Sequence, residues 1–275
     1  MNLSEKLLII AEDDLQAAKC LYNSELYPQA VYNLQQAIEK ITKAFGSVGL
    51  EMTQETMKKE IGHLPQNMLI LMLQRYEALF TSTNQTSVDV GNIIKNQIAV
   101  NSSDAAKQLK NIVKRLISIK GIWYIFLSQQ MPAVLQQVRN TNSIIEMDTD
   151  INNFLIQFEN YIKENLNMVD ENSMNELLSM LKNTFQSIVS MINPLVFLIL
   201  IQPQGCEQNT RYPIQDKIPR QIYNKNHPLI KSIDSIVEIG QYTIIHLSKL
   251  IDTFQKLENF SNQIKGSFEK IATKE

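Results

Sequence analysis

The stretch that most restricts the fold of this chain is its C-terminal one, residues 229–272. It contains no proline and only two glycines. Apolar residues recur at three- and four-residue spacing over about six heptads, from Ile233 and Val237 to Phe268 and Ile271. This spacing is typical of one face of an α-helix. A helix of this length has to pack along several others or project as a coiled-coil arm. The stretch therefore predicts a long C-terminal helix.

The rest of the chain favours helices as well. Only eight glycines and eight prolines occur in 275 residues, and no segment alternates apolar and polar residues as a strand would. Pro132 is expected to interrupt or end a helix, and Asn193-Pro194 to restart one at an angle. The predicted class is all-α: an up-and-down helical bundle with inserted helices. Helices are predicted at 3–22, 26–46, about 66–81, 103–130, 147–168 and 171–192.

Composition excludes several classes of protein. The net charge is −2 and 20% of residues are charged, so no global field attracts nucleic acid. Cys20 and Cys206 are too few for a disulfide framework or a zinc site, and with three scattered histidines no metal or cofactor is expected. The N-terminus lacks the features of a signal peptide. The apolar runs at 121–127 and 193–203 are shorter than the ~20 residues of a membrane span, so we expect core helices, no membrane contact and a cytoplasmic location.

Residues 202–228 mark the one clear break in composition. Four prolines fall in this stretch and apolar periodicity is lost. Such a stretch is either a long ordered loop or an arm that binds a partner.

The second predicted helix carries an unusual polar series beside its apolar stripe. Gln35, Gln36, Glu39 and Lys43 follow one another along it, and Glu39 and Lys43 have the favourable order for an i,i+4 ion pair. One interpretation is a solvated, ion-paired surface. The other is a polar groove between helices, where amide and ammonium groups hold a base edge and a phosphate.

Residues 11–45 resemble a known family. The stretch reads AEDDLQAAKCLYNSELYPQAVYNLQQAIEKITKAF, with Asp14-Leu15 on the first helix and a Gln-Gln-Ala-x-Glu-Lys-x-x-Lys-Ala series on the second. It resembles the first helical hairpin of HEPN domains. His63-Leu64 is similar to the start of the family's third helix, and Arg211-Tyr212-Pro213 to a segment before its last helix.

The resemblance implies a division of the chain and a class of function. Residues 1–64 and 211–275 would form the bundle core, and 65–210 an inserted helical region packed on it. HEPN domains are often dimeric, bind nucleotides or act on RNA, and many work beside a nucleotidyltransferase in toxin–antitoxin or defence systems. We expect a non-catalytic binding module of this kind and a homodimer, with Phe260, Ile264 and Phe268 in its seam. The residues implied for nucleotide or partner binding are Gln35, Gln36, Glu39, Lys40, Lys43, His63 and Arg211.

Two further functions stay open. Catalytic members of the family use an arginine and a histidine a few residues apart, and Arg220 and His227 match that spacing, which would make the protein a metal-independent ribonuclease toxin. Pro228 and the proline-rich surroundings argue against it, because we expect no rigid element to hold His227. The other alternative is a purely structural helical assembly protein. RNA contact is also possible along a basic helix face, formed by Lys107, Lys110, Lys114 and Arg115.

Overall fold

The computed structural model describes four segments of the chain: residues 1–72, 125–140, 171–202 and 206–272, together with residues 74, 111, 156 and 160. The helices are α1 (Leu3–Asn23), α2 (Tyr27–Gly49), α3 (Gln54–Glu60), α4 (Met131–Arg139), α5 (Glu171–Leu200), α6 (Cys206–Arg211), α7 (Pro219–Ile222), α8 (Pro228–Lys231) and α9 (Ile233–Ala272). A π-helical turn, Phe126–Gln130, precedes α4. No strand occurs in these segments, apart from an isolated bridge between Ile214 and Lys217. The all-α class is confirmed.

The first two helices form an antiparallel hairpin. Asn2 begins α1 with a reciprocal capping box, in which the Asn2 side chain accepts from the Glu5 amide and the Glu5 carboxylate accepts from the Asn2 amide. The link between the helices turns at Glu25, whose φ is +59°. Pro28 lies in the first turn of α2, where its missing N–H has no helical partner to lose. Both helices lie within a residue or a few of their predicted ends.

The long helix α9 packs against this hairpin and runs antiparallel to α1. At one end of α1, the Glu5 carboxylate accepts a hydrogen bond of 2.9 Å from Gln255. At the other, Lys19 lies 3.5 Å from Asp234. Between them Gly240 faces Leu15 so closely that an added Cβ would come within 2.9 Å of a Leu15 methyl group. The expected packing of distant helices on the first hairpin is confirmed.

Phe260 is 9% exposed within the single chain, so its side chain is not available for a dimer seam; the side chains of Ile264 and Phe268 lie outside the described residues.

Helix α5 corrects one expectation. Asn193-Pro194 was predicted to restart the helix, but α5 continues through Pro194 to Leu200. Proline has no backbone N–H, so Pro194 cannot donate a hydrogen bond to the carbonyl four residues earlier, which is that of Ser190. The Gln137 side chain in α4 donates to that carbonyl instead, at 3.2 Å. A neighbouring helix therefore supplies the missing donor, and the helix does not break.

The apolar run at the end of α5 lies in the core, as predicted. Leu195, Leu198 and Ile199 are fully buried. Within the described residues, one segment, Asn175–Leu200, has the length and apolar composition of a membrane span, and 59% of its most apolar window is buried inside the protein. The absence of membrane contact stays a prediction.

The proline-rich stretch after α5 is an ordered connection from residue 206 onward. Short helices α6, α7 and α8 occupy it, and α7 and α8 each begin at a proline. Each of the three packs against α2. Tyr223, between α7 and α8, is 2% exposed. The ordered-loop interpretation is thus correct for 206–228, whereas the division into a 1–64 and 211–275 core and a 65–210 insertion stays a prediction.

Candidate functional site

The polar series on α2 is largely buried. Glu39 is 6% exposed and Gln35 is 8% exposed, so the interpretation as a solvated surface is wrong for these two residues. The two side chains are buried because the chain that follows α2 and the end of α5 both cover this side of the helix. The i,i+4 ion pair itself is present, with 2.5 Å between Lys43 Nζ and Glu39 Oε1.

Glu39 holds two other predicted residues in place. Its Oε1 accepts from Lys43, and its Oε2 lies 3.2 Å from His63 Nδ1. Gly62, whose φ is +58°, makes the turn that precedes His63. A buried carboxylate requires such partners, because an unpaired charge away from water is costly. Glu39 therefore fixes the positions of Lys43 and His63 and balances the charge of Lys43.

Lys43 and His63 line one cavity of about 420 Å³ beside α2, which we call the Lys43 cavity. Lys58 from α3 adds a second ammonium group, and Gln54 an amide. The other lining side chains are apolar: Leu3, Leu7 and Met57. The cavity thus combines cationic groups with an apolar wall, and its volume lies within the ~300–1,000 Å³ usual for small-molecule sites.

Lys40 and Gln36 have a different role. Lys40 Nζ lies 2.6 Å from Asp14 Oδ2 on α1, and it also lies 3.4 Å from both the carbonyl and the side-chain oxygen of Gln36. This group ties α1 to α2, and neither residue lines the Lys43 cavity. The implied role of Lys40 and Gln36 in binding stays a prediction.

Gln35 belongs to a network of buried amides. Its backbone carbonyl accepts from Gln202, and Gln66 donates to the carbonyls of Ile199 and Gln202, each at 3.2 Å. The Gln35 side-chain oxygen is buried and has no hydrogen-bond partner among the described residues. The network anchors the end of α5 on α2. Sequence reasoning missed Gln66 and Gln202, because single glutamines that are distant in sequence give no pattern.

Arg211 contacts α2 on the side that carries Glu39, but nearer the N-terminus of the helix, at Tyr32. Its guanidinium carbon is 4.2 Å from the centre of the Tyr32 ring. Arg211 Nη2 donates a hydrogen bond to the Tyr32 hydroxyl. Tyr32 precedes Glu39 by seven residues, which is about 10 Å along a helix. The arginine of Arg-Tyr-Pro therefore attaches α6 to α2, and it does not line the Lys43 cavity.

Arg220 and His227 lie on separate short helices. Arg220 is exposed in α7, and His227 is the N-cap of α8, where its Nδ1 accepts from the Leu229 amide at 3.3 Å. The His227 ring packs on Tyr223 with 4.9 Å between centroids. The expectation that no rigid element holds His227 is wrong. Burial lowers the pKa of His227 below its ordinary 6.5, so the ring is neutral at pH 7.

The basic helix face predicted to contact RNA is not among the described residues. Lys107, Lys110, Lys114 and Arg115 lie outside the described residues. His246 is half-buried on α9 and packs against Tyr242. This agrees with the partly buried position that its place beside the apolar stripe indicates. In the segments that the structure describes, no three His, Cys, Asp or Glu residues are grouped as metal ligands.

Comparison with known proteins agrees with the predicted resemblance. Residues 4–48 match the family model of the HEPN domain. The match contains α1 and nearly all of α2, including Gln35, Glu39 and Lys43, and ends before His63. No curated protein and no solved structure matches the chain. The match confirms the resemblance for the first hairpin and supports a helical module related to nucleotides or RNA.

Proposed function

We propose that the protein is a HEPN-like, non-catalytic binding module that holds a nucleotide, or a nucleotide unit of RNA, in the Lys43 cavity. One observation carries the proposal. Lys43 and His63, which the sequence singles out separately, line the same cavity and share the Glu39 carboxylate.

The charges of the cavity suit a phosphate. Lys43 and Lys58 bring two positive charges, and Glu39 behind the wall offsets one of them. The two lysines and Glu39 together leave one net positive charge. An ammonium group that donates to a phosphate oxygen forms a charge-assisted hydrogen bond, which is stronger than a neutral one.

The apolar wall suits a base. Leu3, Leu7 and Met57 present side chains against which a flat ring can pack, while Gln54 has both a donor and an acceptor for the edge of that ring. A ligand with a ring at one end and a negative charge at the other matches this arrangement.

Titration calorimetry with AMP and ATP tests the proposal. Lys43→Gln removes a charge that faces the ligand, and we expect the dissociation constant to rise about tenfold, which corresponds to ~1.4 kcal/mol. Lys59→Gln is the matched control, because Lys59 is exposed on α3 and does not line the cavity. Equal affinities in wild-type and Lys43→Gln proteins would place binding elsewhere or exclude it.

A non-catalytic role rests on the hydrogen bonding of His227. Since Nδ1 accepts from the Leu229 amide, the neutral ring carries its proton on Nε2. A general base needs a free lone pair, and a general acid needs a protonated ring, which burial opposes. In this arrangement His227 serves the start of α8.

We also propose that the protein acts as a homodimer or together with a partner such as a nucleotidyltransferase. The setting would be a toxin–antitoxin or defence system. The exposed side chains of Ile9 and Ile10 on α1 and of Phe254 on α9 support a protein contact. Light scattering of the purified chain measures the dimer directly, and Ile9→Lys should shift it toward the monomer. A wild-type monomer at high concentration would contradict the homodimer.

A further inference from the structure

A second cavity lies between α5 and α9 and shares no residue with the Lys43 cavity. Its volume is about 550 Å³. We call it the interhelical groove. It is lined by polar residues of α5 and by aromatic and charged residues of α9.

The α5 wall of the groove is polar and uncharged. Asn183 and Gln186 contribute amides, and Ser187 and Ser190 contribute hydroxyls. These groups both donate and accept hydrogen bonds. Ser187 and Ser190 are 6% and 8% exposed, so they lie deep in the groove. A wall of this kind matches a ligand with several hydroxyl groups.

The α9 wall carries the charge. Lys249 and Lys256 are seven residues apart on one side of the helix, and neither forms an ion pair with the described residues. Asp252 lies between them in sequence and also lines the groove. The wall therefore has one net positive charge, which favours an anionic ligand.

An aromatic pair closes one end. The rings of Tyr242 and His246 lie 4.3 Å apart between centroids, tilted by 41°. Burial raises the pKa of Tyr242, and burial followed by the charge of Lys249 lowers that of His246, so both rings are neutral at pH 7. Tyr242 is 8% exposed, whereas His246 is half-buried and has surface left for a ligand. Ile245, 54% exposed, extends this apolar end.

We propose that the interhelical groove binds a phosphorylated sugar. The phosphate contacts Lys249 and Lys256, the sugar hydroxyls bond to the amides and hydroxyls of α5, and the C–H face of the sugar packs on the His246 ring. A free sugar phosphate and the ribose phosphate of a nucleotide share this chemistry, and the experiment distinguishes them.

Titration calorimetry on the full chain tests the proposal with three probes: ribose 5-phosphate, AMP and inorganic phosphate. All proteins carry Lys43→Gln, which removes a positive charge from the other cavity. We expect ribose 5-phosphate to bind more tightly than inorganic phosphate. Tighter binding of AMP than of ribose 5-phosphate would identify a nucleotide as the ligand, and the reverse order a free sugar phosphate.

Three variant proteins assign the binding to the groove. Lys249→Gln with Lys256→Gln should raise the dissociation constant for ribose 5-phosphate at least about tenfold. Asn183→Ala should weaken ribose 5-phosphate and leave inorganic phosphate unchanged, because it removes a partner of the hydroxyls only. Lys182→Gln is the control, since Lys182 is an exposed cation on α5 outside the lining. The proposal is overturned if the double substitution leaves the affinity of the Lys43→Gln protein unchanged, if phosphate binds as tightly as ribose 5-phosphate, or if no probe binds.

Discussion

Gln137 donates a hydrogen bond of 3.2 Å to the Ser190 carbonyl, the carbonyl that Pro194 leaves without a helical donor. The side-chain oxygen of Gln137 in turn accepts from Asn193 at 3.5 Å. One amide on α4 therefore compensates for a proline in another helix, by donating to a carbonyl 53 residues away in the sequence.

Gln137→Ala should lower the free energy of unfolding by about 1–2 kcal/mol, because it leaves the Ser190 carbonyl unsatisfied. In a Pro194→Ala background the backbone N–H of residue 194 can donate to that carbonyl, so Gln137→Ala should have a smaller effect on the free energy of unfolding. Urea unfolding of the four proteins gives the coupling energy. Gln136→Ala, at an exposed neighbouring position, is the control, and additive effects in the cycle would show that the two residues act independently.

Asp14→Asn should lower the free energy of unfolding by about 2 kcal/mol. The Lys40 and Asp14 side chains are only 21% and 19% exposed, and such a pair lies between surface pairs, worth ~0–1 kcal/mol, and buried pairs, which cost ~3–5 kcal/mol to break. Chemical unfolding measures the change. Lys19→Gln breaks an exposed pair with Asp234 and should change stability little. Equal effects of the two substitutions would contradict the role given to Lys40.

Gly240→Ala should destabilise the protein by about 1–3 kcal/mol, although alanine has the higher helix propensity by ~1 kcal/mol. The new methyl group would come within 2.9 Å of a side chain, Leu15, that is fully buried and has little room to move. Thermal unfolding measures the loss, with the exposed Gln241→Ala as control. A stabilised Gly240→Ala protein would show that α1 and α9 are not in close contact at this point.

Stability should fall on acidification from pH 7 to pH 5. Burial lowers the pKa of His227 in the folded state below the ordinary 6.5, so the unfolded chain binds more protons in this range. The contribution of neutral His227 is complete above about pH 6.5 and is lost as the pH falls toward its folded pKa. His227→Asn keeps a side-chain acceptor for the α8 N-terminus and removes the titration, so its stability should change less between pH 7 and pH 5. Parallel pH profiles of the two proteins would contradict this.

The purified protein should not cleave RNA, and His227→Ala should not change that result. Loss of a proton-transfer group usually lowers a rate by ~10²–10⁴, which a cleavage assay detects easily. Specific cleavage that disappears in His227→Ala would instead establish the ribonuclease alternative with Arg220 and His227.

The sequence predicted the helices well where local signals decide. The apolar stripes placed α1 and α2, because periodicity acts within a few residues. It failed at Pro194, since the donor that keeps α5 continuous comes from α4. A proline predicts a break only when no other part of the chain supplies a partner for the freed carbonyl.

The candidate site was predicted in part for the same reason. Glu39, Lys43 and His63 were named, but not the burial of Glu39, which results from the chain that covers α2. The contact of Lys40 with Asp14 on α1 was not predicted either, because it joins two separate helices. Lys58 and the interhelical groove gave no signal, because each depends on residues brought together only by the fold.

The contact between α1 and α9 has a consequence for synthesis on the ribosome. Glu5 and Gln255, which bond to each other, are 250 residues apart. At ~5–20 residues per second, translation from the end of α2 to the middle of α9 takes roughly 10–40 s. During that interval α9 is not yet available to cover the stripe around Leu8 and Leu15. The order of elements along the chain thus leaves apolar surface of the hairpin uncovered while the polypeptide is unfinished, and exposed surface of this kind promotes aggregation.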